Sequence, residues 1–270
     1  EIRVLGFIDD DHTLHNHFVK NLKVLGGRAE IEKIRASCRI AADAMARVAD
    51  LVTPGVTTAH LDEVADEYIR QQAAVASALN YRGYPRSICA SINEEVVHGI
   101  PGSRQLVEGD IISVDIAVKK DGYHGDMNVS FAVGEIDMET RRLLETTKQA
   151  LEIGLVASET GTRLGDVGHR IQTHVETAGF SVVRDYCGHG IGRNFHEEPQ
   201  LLHFGTAGTG RRLQPGVVFT VEPMVNAGVA DVRVLDDEWT AVTVDGALSA
   251  QFEHTVAVTD DGPRILTQAV

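Results

Sequence analysis

Four carboxylates stand in apolar surroundings, where charge is costly unless something neutralises it. Asp115 is enclosed by Ile111, Ile112, Val114, Ile116 and Val118. Asp126 follows beyond Lys119-Lys120-Asp121-Gly122, whose Asp-Gly pair is a strong hairpin signal. Folding the chain about the midpoint of that four-residue turn sets Asp115 opposite Asp126, with Cβ atoms about 4.5–5.5 Å apart. Two acids that close need a shared proton or a cation. Glu222 ends the run Val217-Val-Phe-Thr-Val221, and Glu253 sits in the strand-like Ser249-Ala-Gln-Phe-Glu253-His-Thr-Val-Ala-Val258. Glu222 or Glu253 alone is more often an edge-strand acid, and in the hairpin one acid could instead point to solvent and pair with a lysine. Four together point to cations held inside a sheet, and two divalent ions would balance four ionised carboxylates.

Imidazoles extend the constellation. His98 stands in Val96-Val-His-Gly-Ile-Pro101 and His189 in Tyr186-Cys-Gly-His-Gly-Ile-Gly-Arg193, with His196 close behind. The glycines on either side of His189 are expected to let the backbone turn sharply and leave the ring accessible. A carboxylate-rich set with an imidazole suits Fe, Co, Mn or Zn. His124, beside the hairpin acids, and His254, beside Glu253, are candidates to support the ligands. His60, His169, His174 and His203 read as surface or hydrogen-bonded residues. Other chemistries fit less well. No Gly-x-Ser-x-Gly elbow, Walker loop or His-Glu-x-x-His helix is present. Gly188-His-Gly190-Ile-Gly192 lacks the third glycine of a dinucleotide loop, and nothing distinguishes Cys89 or Cys187 from an ordinary thiol.

The elements that must position these groups occur in two rounds. Apolar residues at near-helical spacing run from Arg28 to Val52, where Thr53-Pro54-Gly55 stops them. A second helix follows, capped by Thr57 or Thr58, with Leu61, Val64, Tyr68 and Ile69 on one face. The stretch Ser87 to His98 is β-prone. The order then repeats: one helix carries Leu143, Leu144, Ala150, Leu151 and Leu155, and a shorter one Leu164, Val167, Ile171 and Val175. Gly55-Val-Thr-Thr before Leu61 echoes Gly161-Thr-Arg before Leu164. Helix, helix, strands, twice over, implies two related halves around one sheet, an α+β architecture.

The 270 residues, 43% hydrophobic and 24% charged, describe an ordinary globular chain. Its net charge of −14, without a basic block, disfavours nucleic acid. No run approaches a membrane span and no leader opens the chain, so a cytoplasmic protein is expected. Three scattered cysteines exclude a disulfide framework or a cysteine zinc site. Residues 1–24, with Asp9-Asp10-Asp11, His12, His15 and His17, read as a partly ordered arm, and 25–270 as a single catalytic domain.

Taken together these segments closely resemble the type I methionine aminopeptidases, metal-dependent enzymes of the duplicated pita-bread fold. The likeness runs from about Ala29 to Leu266 and rests on five motifs in order: Ser91 to Pro101, the Asp115/Asp126 hairpin, Tyr186 to Arg193, Phe219 to Asn226 and Ser249 to Thr255. It implies removal of the initiator methionine from nascent polypeptides with a small second residue. It also implies two divalent ions held by Asp115, Asp126, His189, Glu222 and Glu253, with Asp126 and Glu253 bridging. His98 and His196 then contact the substrate and steady the transition state, and Glu222 shuttles a proton. A methionine pocket of Tyr81, Tyr84, Cys89, Phe195 and Trp239 is implied, although those residues read equally as plain core. A monomer is expected, and ribosome association is compatible with such an enzyme but gains no support from the acidity. The chain departs from the family at Ala117, where a threonine is frequent, and at Val97, Ala78 and Glu238. The rival readings are a pita-bread peptidase directed at proline and a non-catalytic binding relative.

Overall fold

The computed structural model describes residues 7–8, 18–19, 22–26 and 28–268. Within the expected arm, Phe7–Ile8 and Phe18–Val19 both pair with Leu22–Gly26. The Asp9–Asp11, His12, His15 and His17 tract lies outside the described residues.

Four helices carry the apolar faces expected of them. Helix α1 spans Arg28–Ala49 and ends before Val52, because Leu51 N–H bonds back to the Val48 carbonyl and tightens the last turn. Helix α2, Thr58–Gln71, is capped by the Thr57 side chain, which accepts from His60 N–H. Helix α3, Met138–Ala157, starts on the Asp137 cap, and helix α4, Leu164–Thr177, starts where Asp166 reaches back to Arg163 N–H.

The two halves are built alike. Gly55 and Gly161 both have positive φ, and each donates its N–H to a distant carbonyl, Leu106 and Leu213 respectively. Leu106 and Leu213 donate in return to Val56 and Thr162. The sparse echo in the sequence is thus a repeated structural joint.

One antiparallel sheet joins the halves, in the order Glu197–Leu201, Gly188–Gly190, Val218–Val221, Glu253–Thr259, Tyr123–Ala132, Ile111–Lys120 and Val75–Ala76. Its strands alternate between two buried faces. Ile112, Val114, Ile116 and Val118 pack under α1 and α2, while Phe219, Val221, Val256 and Val258 pack under α3 and α4. The residues between them, Asp115, Thr220, Glu222, Glu253 and Thr255, face the other side. That alternation explains the acids in apolar runs: both faces are enclosed, and the polar groups gather on the one turned away from the main helix-packed cores.

The hairpin register differs from the expected one. Asp121 (φ 49°) and Gly122 (φ 82°) alone form a two-residue turn, both in the left-handed region. Asp115 therefore pairs with Asn128, and Asp126 with Ala117. The slip is two residues, so Asp115 and Asp126 keep the same face and lie diagonally rather than opposite.

Candidate metal centre

Asp115, Asp126 and Glu253 lie on three strands, and Glu222 directly follows Val218–Val221. Asp115 is half-buried and the other three are buried, each held by different local contacts. Asp126 is locked by its backbone, whose N–H donates to Thr255 Oγ1 (3.1 Å) while that hydroxyl donates to the Asp126 carbonyl (2.8 Å). The pKa of Asp115 is raised by burial, an effect that the neighbouring Asn128 and, when protonated, Asp126 side chains partly offset. Glu222 is held at both oxygens: Thr220 Oγ1 donates to Oε1 (2.6 Å) and Gln251 Nε2 to Oε2 (3.2 Å). Its own N–H donates to His203 Nε2 (3.1 Å). Glu253, opposite Asn128 in the neighbouring strand, is 1% exposed.

His189 completes the cluster, but not in a sharp turn. Gly188–Gly190 is a strand, and its glycines are required by close approach: a Cβ at Gly188 would meet the Thr220 carbonyl oxygen at 2.3 Å, and one at Gly190 the Glu198 carbonyl oxygen at 2.2 Å. His189 Nδ1 lies 3.0 Å from the Gly190 carbonyl oxygen. A carbonyl only accepts, so Nδ1 carries the proton and Nε2 presents a lone pair. That bare nitrogen faces Asp126 Oδ2 at 3.8 Å and Glu222 Oε1 at 3.7 Å.

Electrostatically the cluster is unstable by itself. Burial pushes Asp115 up to about 6 and Glu222 up to about 8, the latter aided by the Asp115 charge. Burial and the neighbouring acids hold Asp126 and Glu253 well above the ordinary carboxylate range. Burial lowers His189 to about 4, so its ring is neutral. One oxygen of Asp126 and one of Glu253 are buried with no hydrogen-bond partner. Ligand atoms of Asp126, His189 and Glu253 lie within 4.8 Å of one another. Repelling acids, orphaned buried oxygens and an unprotonated imidazole aimed at them fit a divalent cation.

A cavity of about 1030 Å³ opens on the cluster, and its walls include every one of the site and pocket residues singled out from the sequence. His98 enters at φ 61°, with edge contacts to Tyr186 and Trp239 at 5.5 and 6.1 Å. His196 lies over His189, ring centroids 4.2 Å apart. Burial lowers His98 to about 4, and His196, although exposed, is lowered to about 3 by desolvation of its ring against the cavity wall and by neighbouring His189. On the apolar side Tyr84 abuts Trp239, and Tyr81 abuts Phe195, each at 5.1 Å. Tyr84 is 2% exposed, its hydroxyl directed at the Ile88 and Gly99 carbonyls. His124 stacks on Phe195 and bonds Ser77, so it supports the cavity wall. His254 points to the other face and bonds Thr267.

The sequence does not single out Asn128, Thr220 or Gln251, and it reads His203 as a surface or hydrogen-bonded residue, of which it is the latter; all four help to hold the acids. Three of them carried a signal. Asn128, Thr220 and Gln251 each lie two residues from an acid in the same strand run, hence on the same face.

A family model of the metallopeptidases, family M24, matches residues 32–260. The chain belongs to metallopeptidase family M24. Among M24 relatives it is 49% identical over 240 residues to the methionine aminopeptidase of Escherichia coli, covering 88% of this chain and 91% of that one. It is 48% identical over 241 residues to methionine aminopeptidase A of Synechocystis, covering 89% and 95%. The crystal structure of the methionine aminopeptidase of Rickettsia prowazekii superposes with a TM-score of 0.88 at 44% identity, covering 89% of this chain and 98% of that one. An Xaa-Pro dipeptidase of Bacillus anthracis shares the fold alone, with a TM-score of 0.73 at 21% identity. Helix pairs on a curved antiparallel sheet are the M24 pita-bread architecture, as expected from the sequence.

Proposed function

We propose that this chain hydrolyses the N-terminal methionine from nascent polypeptides with a small second residue, using two divalent ions. The observation that carries the reading is the bare Nε2 of His189 facing the carboxylates of Asp126 and Glu222, with Glu253 beside them, at a cavity that all four acids line. Asp115, Asp126, His189, Glu222 and Glu253 would hold the ions. Asp126 and Glu253, each with a partnerless buried oxygen, are suited to reach both. The mixed carboxylate and imidazole set suits Mn, Fe, Co or Zn. Such ions supply Lewis acidity toward a carbonyl and a water acid enough to lose its proton at neutral pH.

The protein's own groups do the rest. Glu222, steadied at both oxygens by Thr220 and Gln251, takes the water's proton and passes it to the leaving amine. His98 and His196, both neutral, offer N–H donors to the carbonyl and to the charge that develops on it. The ring-lined pocket of Tyr81, Tyr84, Phe195 and Trp239, with Cys89 at its floor, grips the thioether. Work as a monomer in the cytoplasm, on chains leaving the ribosome, completes the proposal. Among the described residues no helix is long and apolar enough to cross a membrane.

Purified protein supplied with Co or Mn tests this. Release of methionine from Met-Ala-Ser, with little from Met-Glu-Ser, is expected. Faster cleavage of Ala-Pro peptides than of Met-Ala peptides would instead assign proline-directed specificity.

A further inference from the structure

The two adjacent imidazoles, His189 and His196, have different partners at Nδ1. His189 Nδ1 faces a carbonyl, which can only accept, so its proton is on Nδ1. His196 Nδ1 instead lies 3.0 Å from the Tyr81 hydroxyl. That hydroxyl makes no other hydrogen bond among the described residues. Tyr84, the neighbouring tyrosine, cannot substitute, because its hydroxyl is directed at the Ile88 and Gly99 carbonyls.

We propose that Tyr81 is a positioning residue: its hydroxyl donates to His196 Nδ1 and holds the imidazole in the tautomer protonated on Nε2. The inference rests on the peptidase reading, in which His196 must be a donor toward the carbonyl under attack. A neutral imidazole has one N–H, and the group bonded to one ring nitrogen decides which nitrogen carries it. With a hydroxyl donating at Nδ1, Nε2 keeps the proton and offers it to the developing oxyanion. The adjacent rings, 4.2 Å apart, therefore hold opposite tautomers: His189 with a lone pair for the ion, His196 with a proton for the substrate.

The local backbone is built to hold this contact. Tyr81 begins a single 3-10 turn, Tyr81–Gly83, between Asn80 (φ 63°) and Arg82 (φ 50°), and Asn80 N–H donates to the Tyr84 carbonyl at 2.8 Å. Its ring lies against His196 at 5.2 Å with an interplanar angle of 27°. On the other side, Asn194 N–H donates to Glu197 Oε1 at 2.7 Å and closes the loop carrying His196.

Tyr81→Phe keeps the ring, its stacking and its share of the pocket wall, and removes only the hydroxyl. One net hydrogen bond biases the tautomers by roughly threefold to tenfold. The metal-loaded variant should accordingly lose roughly threefold to tenfold in kcat on Met-Ala-Ser, with KM unchanged. In a His196→Ala background the same substitution should cost nothing further. A second readout does not depend on turnover. In chelated protein labelled with 15N-histidine, the His196 ring, assigned by its loss in His196→Ala, should show a protonated Nε2 and a bare Nδ1, and should become a mixture in Tyr81→Phe. A raised KM with unchanged kcat, an undiminished effect in the His196→Ala background, or a protonated Nδ1 in the unsubstituted protein would each overturn the proposal. Failure of the unsubstituted protein to release methionine would instead strike the peptidase reading, leaving the tautomer result standing.

Discussion

Stripping divalent ions from this protein should make its stability fall with pH in a range where most proteins are indifferent. Glu222 is held near 8 in the fold against an ordinary 4.5, and Asp126 and Glu253 are held well above their ordinary values too. Between pH 7 and 8 the unfolded chain has ionised all three, while the folded, ion-free protein still holds much of the Glu222 proton, and the upward shifts of Asp126 and Glu253 act in the same sense. A group whose folded pKa is raised stabilises the fold below its unfolded pKa, and that stability is lost as pH rises through the folded value. Each retained proton costs about 1.4 kcal/mol per pH unit. Glu222, half-titrated by pH 8, contributes about 1 kcal/mol of loss over this interval, and Asp126 and Glu253, raised in the same direction, add to it. The histidines held low by burial, His98, His189 and His254 among them, work in the opposite sense. Their contribution disappears as pH falls below about 6.5, so they leave this window clear. Urea unfolding at intervals from pH 7 to 8, in chelator and with Mn, reads the difference directly. The chelated protein should lose about 1 kcal/mol or more that the loaded protein keeps, because the bound ions displace those protons. Parallel curves for the two forms would refute the reasoning.

Removing either function at the centre should abolish turnover with the fold intact. Glu222→Gln is expected to cost about 10²–10⁴-fold in kcat, and His189→Ala to lose activity and ion binding together, read by peptide release and metal analysis. Thr220→Val, which removes the hydroxyl donating to Glu222 Oε1, should weaken ion affinity or activity roughly 10–100-fold, measured by titrating Mn into an activity assay. Gly99→Ala places a Cβ 2.4 Å from the Ala90 carbonyl oxygen. It should cost about 1–3 kcal/mol in urea unfolding and reduce kcat by displacing the adjacent His98.

Most of the centre is legible from side-chain type alone. Acids inside apolar runs stand out because burial of charge demands compensation, and all five ligand candidates converge as their chemistry requires. Register was harder to read. Asp121 and Gly122 both adopt the left-handed backbone of a two-residue turn, and nothing in Lys119-Lys120 announces that those lysines belong to the strand. The glycines around His189 illustrate a second limit. Their absence of a side chain is explained by the Thr220 and Glu198 carbonyls of neighbouring strands, contacts that no local pattern encodes. The supporting residues were half visible. Thr220, Asn128 and Gln251 share a face with an acid two positions away, whereas His203 reaches Glu222 N–H from a distant loop and carries no such mark.

The central claim is that these five side chains hold two divalent ions, and calorimetric titration of the chelated protein with Mn at neutral pH tests it most directly. Two equivalents should bind per chain, with heats that depend on the buffer because Glu222, held near 8, surrenders its proton on binding. Binding of no ion, or an unchanged isotherm in a variant combining Asp126→Asn with Glu253→Gln, would contradict it.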